Sequence, residues 1–174
     1  MKNSLLGSIL LLVIAACNQP KPENPMAERN STDSAMGALY EKNLAALQAG
    51  ISAFESENAD AWSAVVSDSV IFISPVYGDM DSSKAHWQQL VSGYWADWDS
   101  LRLTNPIFLP GIDQQTHELD GSVRYYGEWK GVHKSGKRTT SRFYGTYDFN
   151  SDGKIISAAE FFDAGGLMNA IAAK

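Results

Sequence analysis

The chain of 174 residues contains a single cysteine, Cys17. Internal disulfides are therefore excluded, and the fold must be held together by packing alone. Histidine is scarce, at three residues, and there is no C-x-x-C, no H-x-x-x-H and no carboxylate cluster at metal-loop spacing. No metal or other cofactor site is expected. Runs of lysine or arginine are missing, and the formal net charge is -6. Nucleic acid, which is bound by neutralising phosphates, is not an expected partner. The longest apolar run, Leu5 to Ala16, falls short of the ~20 residues that span a bilayer as a helix. No serine or cysteine stands in a recognisable nucleophile motif, so covalent hydrolase chemistry has no support.

That short apolar run follows Lys2 and ends in Ile14-Ala15-Ala16-Cys17. A charged start, an apolar stretch and small residues are the layout of an export signal. The final four residues resemble the bacterial lipobox. The resemblance implies cleavage before Cys17, diacylglycerol on its sulfur and attachment of the mature chain to a membrane by its first residue. Asn18 in place of aspartate after the cysteine favours the outer membrane of a Gram-negative envelope. Residues 1–17 are thus expected to be a lipoprotein signal peptide. Residues 18–36 carry Pro20, Pro22 and Pro25 with few apolar side chains, the composition of a flexible tether. Residues 37–174 are the size of one domain, and a chain with 44% hydrophobic residues can build its core.

Within that domain the early pattern is helical. Leu44, Leu47, Ile51 and Phe54 predict a helix from about Met36 to Ser56, and a short second helix follows Asn58, a suitable cap, burying Trp62, Val65 and Val66. Ser69 to Ser74 reads as a strand stopped by Pro75. A third helix, from about Ser83 to Trp98, carries the stripe Trp87, Leu90, Val91, Tyr94 and Trp98. The period then changes to two. Strands are expected around Leu101 to Ile107, Ser122 to Lys130, Arg138 to Phe149 and Lys154 to Phe162, with a hairpin at Asn150-Ser-Asp-Gly153 and a terminal helix from Gly165. Helices first and antiparallel strands afterwards give an α+β fold.

This order resembles the nuclear transport factor 2-like superfamily and its SnoaL-like branch, over roughly Leu44 to Ile171. The resemblance is carried by Val70-Ile-Phe-Ile-Ser-Pro with Gly78, by Tyr126-Gly-Glu-Trp-Lys-Gly, by Tyr147-Asp-Phe-Asn-Ser-Asp-Gly-Lys-Ile and by Glu160-Phe-Phe-Asp-Ala-Gly-Gly-Leu-Met. It implies a cone: a curved antiparallel sheet wrapped around the N-terminal helices, with a pocket at the open end. The fold hosts isomerases, dehydratases, cyclases, hydrolases and non-catalytic modules, so it does not give a function by itself. The ketosteroid isomerase machinery of the superfamily is not carried over. Its base falls on Ser74, its protonated aspartate on Gly145 and its tyrosine near Gly50. None of these can do the corresponding chemistry.

SnoaL-like cyclases place a proton-abstracting carboxylate near the end of the fold, which makes Glu160 and Asp163 the catalytic candidates. By the same overlay Ala158, Glu160 and Phe162 face the cone. A carboxylate there would be desolvated, and its pKa would rise toward that of a useful base. Each candidate also has a structural alternative: Glu160 pairing with Arg142 or Arg124 across strands, and Asp163 capping the terminal helix near Gly165. Trp62, Trp87, Tyr94, Trp129, Phe143 and Phe162 are the expected ligand-binding aromatics, with ordinary core packing as their alternative. The partner they imply is a small, flat, largely apolar molecule. His86 is expected at the cone mouth or in water, and His117 and His133 in water. Tyr126, Arg142 and Tyr144 project to the opposite sheet face, the expected surface for a homodimer.

Overall fold

The structure, a computed structural model, describes the backbone of residues 25–173 and the side chains of residues 34–173. Residues 1–17, including Cys17, and the first part of the expected tether lie outside the described residues. Helix α1 spans Pro25–Glu55 and starts earlier than the Met36 read from periodicity. Proline suits a first helical position, where its missing N–H has no partner to lose, and Met26, Ala27, Glu28 and Arg29 that follow are helix formers. Asn58 caps α2, Ala59–Val65, by accepting the Ala61 N–H at 3.0 Å. Strand β1, Val66–Ile73, leads through a loop to α3, Lys84–Asp97, where Ser83 Oγ accepts the His86 N–H. Strands β2 (Trp98–Ile112), β3 (Leu119–His133), β4 (Arg138–Phe149) and β5 (Ile155–Phe161) follow, and then α4 (Ala164–Ala172).

The five strands form one sheet in the order β1-β5-β4-β3-β2. Neighbours from β2 to β5 are antiparallel, but β1 runs parallel to β5, which corrects the all-antiparallel expectation. No hairpin joins these two strands. The chain leaves β1 through α3 and crosses to the far edge at β2, so nothing local forces β1 to oppose β5.

Two bulges bend β2. Ser100 (φ 57°) and Asn105 (φ 53°) adopt left-handed backbone where the register against β3 slips, between Asp99 and Arg102 and between Thr104 and Ile107. An extra residue at such a point bends the strand and increases its twist. The sheet thereby curls toward α1, and Glu55 fastens the contact: its Oε1 accepts the Leu103 N–H at 2.7 Å, while its backbone oxygen accepts from Arg102 at 2.8 Å. Further back along α1, buried Asn43 donates to the Gly121 carbonyl of β3 at 2.8 Å. Leu47 and Phe72 from the helical side and from β1 meet Val123, Tyr125 and Tyr147 from the sheet in one core.

Candidate functional site

The core is not completely filled. A cavity of about 120 Å³ lies between the inner sheet face, the second half of α1, α3 and the start of α4. Trp62, Trp87, Tyr94, Trp129, Phe143 and Phe162 all line it. They reach it by the periodicities that nominated them. Trp87 and Tyr94 lie on one face of α3, seven residues apart. On β3 and β4 the inward positions alternate, so Tyr125 and Trp129, then Phe143 and Tyr147, face the cavity while Tyr126 and Tyr144 turn away. The rings brace one another. Phe72 lies flat on Trp87, Trp62 meets Trp87 edge-on at 5.0 Å, and Phe54 meets Trp129 edge-on at 5.1 Å.

Glu160 is the only charged side chain among the described residues lining this cavity. Alternation along β5 turns Ala158 and Glu160 inward, and Phe162 beyond the strand end lines the cavity as well. Tyr147 donates its hydroxyl to Glu160 Oε1 at 3.2 Å. Glu160 is partly buried and borders the cavity. Burial pushes the Glu160 pKa from the ordinary 4.5 up to about 7, against the smaller downward pull of the Tyr147 bond. The alternative of an arginine partner is not realised among the described residues. Arg142 faces Glu128 in register, an odd number of positions from Gly145, and therefore projects from the other side of the sheet.

Three tyrosines surround this carboxyl group. Burial pushes Tyr94 up to about 12, with the nearby Glu160 charge adding to the effect. Tyr125 and Tyr147 are raised as well, again by burial first. All three therefore stay protonated at neutral pH, and Tyr147 donates its proton to Glu160. Tyr125 also accepts the Trp129 indole N–H at 3.2 Å and stacks on Phe143 and Tyr147. The Tyr94 hydroxyl lines the cavity without a hydrogen-bond partner among the described residues.

The structure does not bring Asp163 to this group. It is exposed at the N-cap of α4, where Oδ1 accepts the Gly166 N–H at 2.7 Å. Tyr125 and Tyr147 were not nominated from sequence, although the alternation that turns Phe143 inward also turns residue 147 inward. His86 stands within 2.7 Å of Asp79 in the β1–α3 loop, whose Pro75 and Val76 form part of the cavity wall. His86, and then Ser74, hold the Asp79 carboxyl below the usual carboxylate range. His117 lies in the exposed β2–β3 turn with φ 60°. His133 is a correction: expected in water, it is buried, with its ring 4.8 Å from that of Trp98 and Nδ1 against Ser135. Among the described residues no group of three or more His, Cys, Asp or Glu side chains gathers where a metal ion could be held.

No family model matches the chain, and no curated protein matches it. Solved structures do. The chain is similar to a candidate isomerase from Bacillus subtilis, with 15% sequence identity and a TM-score of 0.65 over 78% of this chain and 96% of that one. It is similar to a candidate polyketide cyclase from Xanthomonas campestris pv. campestris, with 17% identity and a TM-score of 0.61 over 77% and 97% of the two chains. A nuclear transport factor 2-like protein of unknown function from Burkholderia pseudomallei K96243 matches with 15% identity and a TM-score of 0.61, over 76% and 98%. At these identities the likeness is one of fold. N-terminal helices held against a curved, mostly antiparallel five-stranded sheet make this the nuclear transport factor 2-like α+β fold, in the form shared with candidate SnoaL-like polyketide cyclases.

Proposed function

We propose that the protein binds a small, flat, largely apolar organic molecule in the aromatic cavity and that Glu160 exchanges a proton with it. One observation carries the reading: a single carboxyl group, held by one oxygen, faces an otherwise uncharged and mostly aromatic and aliphatic cavity. A carboxyl group that titrates near neutrality both takes and returns protons at the working pH. The suited substrate carries an acidic C–H beside a carbonyl. Glu160 removes that proton, and the Tyr94 hydroxyl donates to the oxygen on which charge develops. The product follows when Glu160 returns the proton to another carbon, or when the carbanion attacks a second carbonyl, whose C=O π bond opens to an alkoxide that takes the proton back from Glu160. This chemistry needs no cofactor.

Deuterium exchange into a panel of enolisable aryl ketones, followed by NMR in D2O, tests the proposal. Exchange catalysed by the protein and reduced by about 10²–10⁴-fold in Glu160→Gln supports it. Binding without exchange in any member of the panel favours a non-catalytic ligand-binding module, and overturns the enzyme reading.

The remaining expectations belong to the same proposal. Cys17 carries the lipid and holds the domain at the envelope, on the strength of the lipobox-like sequence. Mass spectrometry of the mature N-terminus, and release of Cys17→Ser from membranes, check this. A second copy of the chain covers the outer sheet face. There Ile107, Tyr126, Tyr144 and Phe161 stand in direct register across four strands, with ring centroids 4.7 and 5.7 Å apart. Ile107 and Phe161 are more than half exposed, at 59% and 51%, an apolar stripe of the kind that marks association. Sedimentation of Tyr126→Glu against the unaltered chain measures it.

A further inference from the structure

We infer that Tyr147 is a positioning residue for Glu160, that it reaches Glu160 because residue 145 is glycine, and that Oε2 is thereby left as the oxygen that meets the ligand. The inference rests on the reading of Glu160 as the proton-exchanging group. It starts from the register of three strands. Tyr125 on β3 stands opposite Gly145 on β4, which stands opposite Glu160 on β5, so the three form one row across the inner face. Tyr147 lies two residues along β4 and is paired with Ala158. A side chain rising straight from that position would stand beside Ala158, not beside Glu160.

The contact with Glu160 therefore requires the Tyr147 ring to lean back along β4, across position 145. It does so. A Cβ added at Gly145 would lie 2.7 Å from both Tyr147 Cε2 and the Tyr147 hydroxyl, and 2.9 Å from Phe143 Cε1. Those distances are closer than carbon atoms pack, so any other residue at 145 would push the ring away. Backbone freedom is not the reason for the glycine, because Gly145 is absent from the positive-φ positions. A glycine inside a strand costs about 0.5–1 kcal/mol relative to alanine, and here the empty space has a specific occupant. Ala158, opposite Tyr147, adds little bulk of its own. Tyr125 then holds the leaning ring, with the two planes 11° apart and centroids 5.8 Å apart.

The result is a carboxyl group whose two oxygens differ. Oε1 receives the Tyr147 hydroxyl, which burial keeps protonated. Oε2 has no hydrogen-bond partner among the described residues, and Glu160 borders the cavity. Proton exchange with a ligand is assigned to that free oxygen, and the Tyr147 bond sets both the direction in which it points and how readily the group ionises.

The test is the titration of Glu160, read by NMR on the full chain carrying 13C-carboxyl glutamate, without ligand. Tyr147→Phe keeps the ring and deletes the donor. The Glu160 midpoint is expected to rise by about one unit, leaving about tenfold less carboxylate at pH 6. Gly145→Ala keeps the hydroxyl but displaces the ring, and is expected to raise the midpoint in the same direction. The double variant is expected to shift no further than Tyr147→Phe, because both changes break the same bond. An unchanged midpoint in Tyr147→Phe overturns the inference. So do additive shifts in the double variant. Should Gly145→Ala fail to fold, the Tyr147→Phe measurement decides alone. The functional reading fails separately: a moved midpoint together with ligand exchange untouched by Glu160→Gln would leave Tyr147 as the positioning residue and remove Glu160 from the chemistry.

Discussion

Asp163 Oδ1 accepts the backbone N–H of Gly166 at 2.7 Å and closes the first turn of α4. Gly166 makes the bond possible, since a Cβ there would lie 2.1 Å from Asp163 Oδ2. The two neighbouring acidic residues therefore have different tasks, one in the cavity and one at a helix end. Asp163→Ala removes a cap and is expected to cost about 1 kcal/mol of stability, while leaving the Glu160 midpoint where it was. Thermal denaturation and the carboxyl NMR titration check both halves. A displaced Glu160 midpoint in this variant would place Asp163 back in the site.

Glu160 makes stability depend on pH with a defined sign. Its folded pKa, about 7, stands above the ordinary 4.5, so between those values the folded chain holds a proton that the unfolded chain has released. Stability from this group is complete below about 4.5 and is lost as pH rises to about 7, an effect on the order of 3 kcal/mol. Glu160→Gln keeps an acceptor for Tyr147 and cannot ionise. The variant is expected to match the unaltered chain at pH 4.5 and to exceed its melting temperature at pH 8. Equal differences at the two pH values would show that Glu160 does not titrate in this window.

The residues that reach the cavity were legible because two periods decide which way a side chain points. A 3.6-residue period put Trp87 and Tyr94 on one face of α3, and a period of two put Ala158 and Glu160 on one face of β5. What was not legible depends on how separate elements meet. The direction of β1 against β5 follows from the crossover through α3, and no local pattern in Val66–Ile73 encodes it. His133 ends β3, and what buries it is Trp98, from the start of another strand. The contact of Tyr147 with Glu160 requires the register of β4 on β5. That register is set by the Asn150 turn, in which Oδ1 accepts the N–H groups of Asp152 and Lys154, together with a one-residue shift of the pairing between Asp148 and Phe149. Gly145 read in sequence as the loss of an isomerase aspartate. In the fold it is the space that Tyr147 occupies.

Trp87 supports the cavity from α3. Its ring is stacked on Phe72 with centroids 4.4 Å apart and planes 4° from parallel, and Trp62 meets its face edge-on. It is 5% exposed, so Trp87→Ala both loses apolar burial and joins a void to the existing cavity. The expected cost is about 3–5 kcal/mol, a large share of the total for a single domain. Chemical denaturation measures it. Trp87→Phe, which keeps a ring on Phe72, is expected to recover more than half. A cost below 1 kcal/mol for Trp87→Ala would mean that the wall collapses to fill the space, and the aromatic cavity would then not be a fixed shape.

Lys84 is a structural cation, and the surroundings of its partners decide how it acts. Its side chain is 14% exposed, and Nζ donates to the Ser63 carbonyl at 3.1 Å, to the Val66 carbonyl at 2.9 Å and to Asp68 Oδ1 at 2.7 Å. The carbonyls belong to the end of α2 and the start of β1, so one ammonium joins α3 to both. Asp68 is fully solvated, and an ion pair to such a group contributes little. Lys84→Met is therefore expected to lose about 1–3 kcal/mol through the lost bonds to the two carbonyls, of which that of Ser63 keeps the Val66 N–H, and Asp68→Asn to be close to neutral. Salt separates the two contributions as well. If the ion pair dominated, 1 M NaCl would erase the Lys84→Met difference; because the carbonyl bonds dominate, most of the difference is expected to survive.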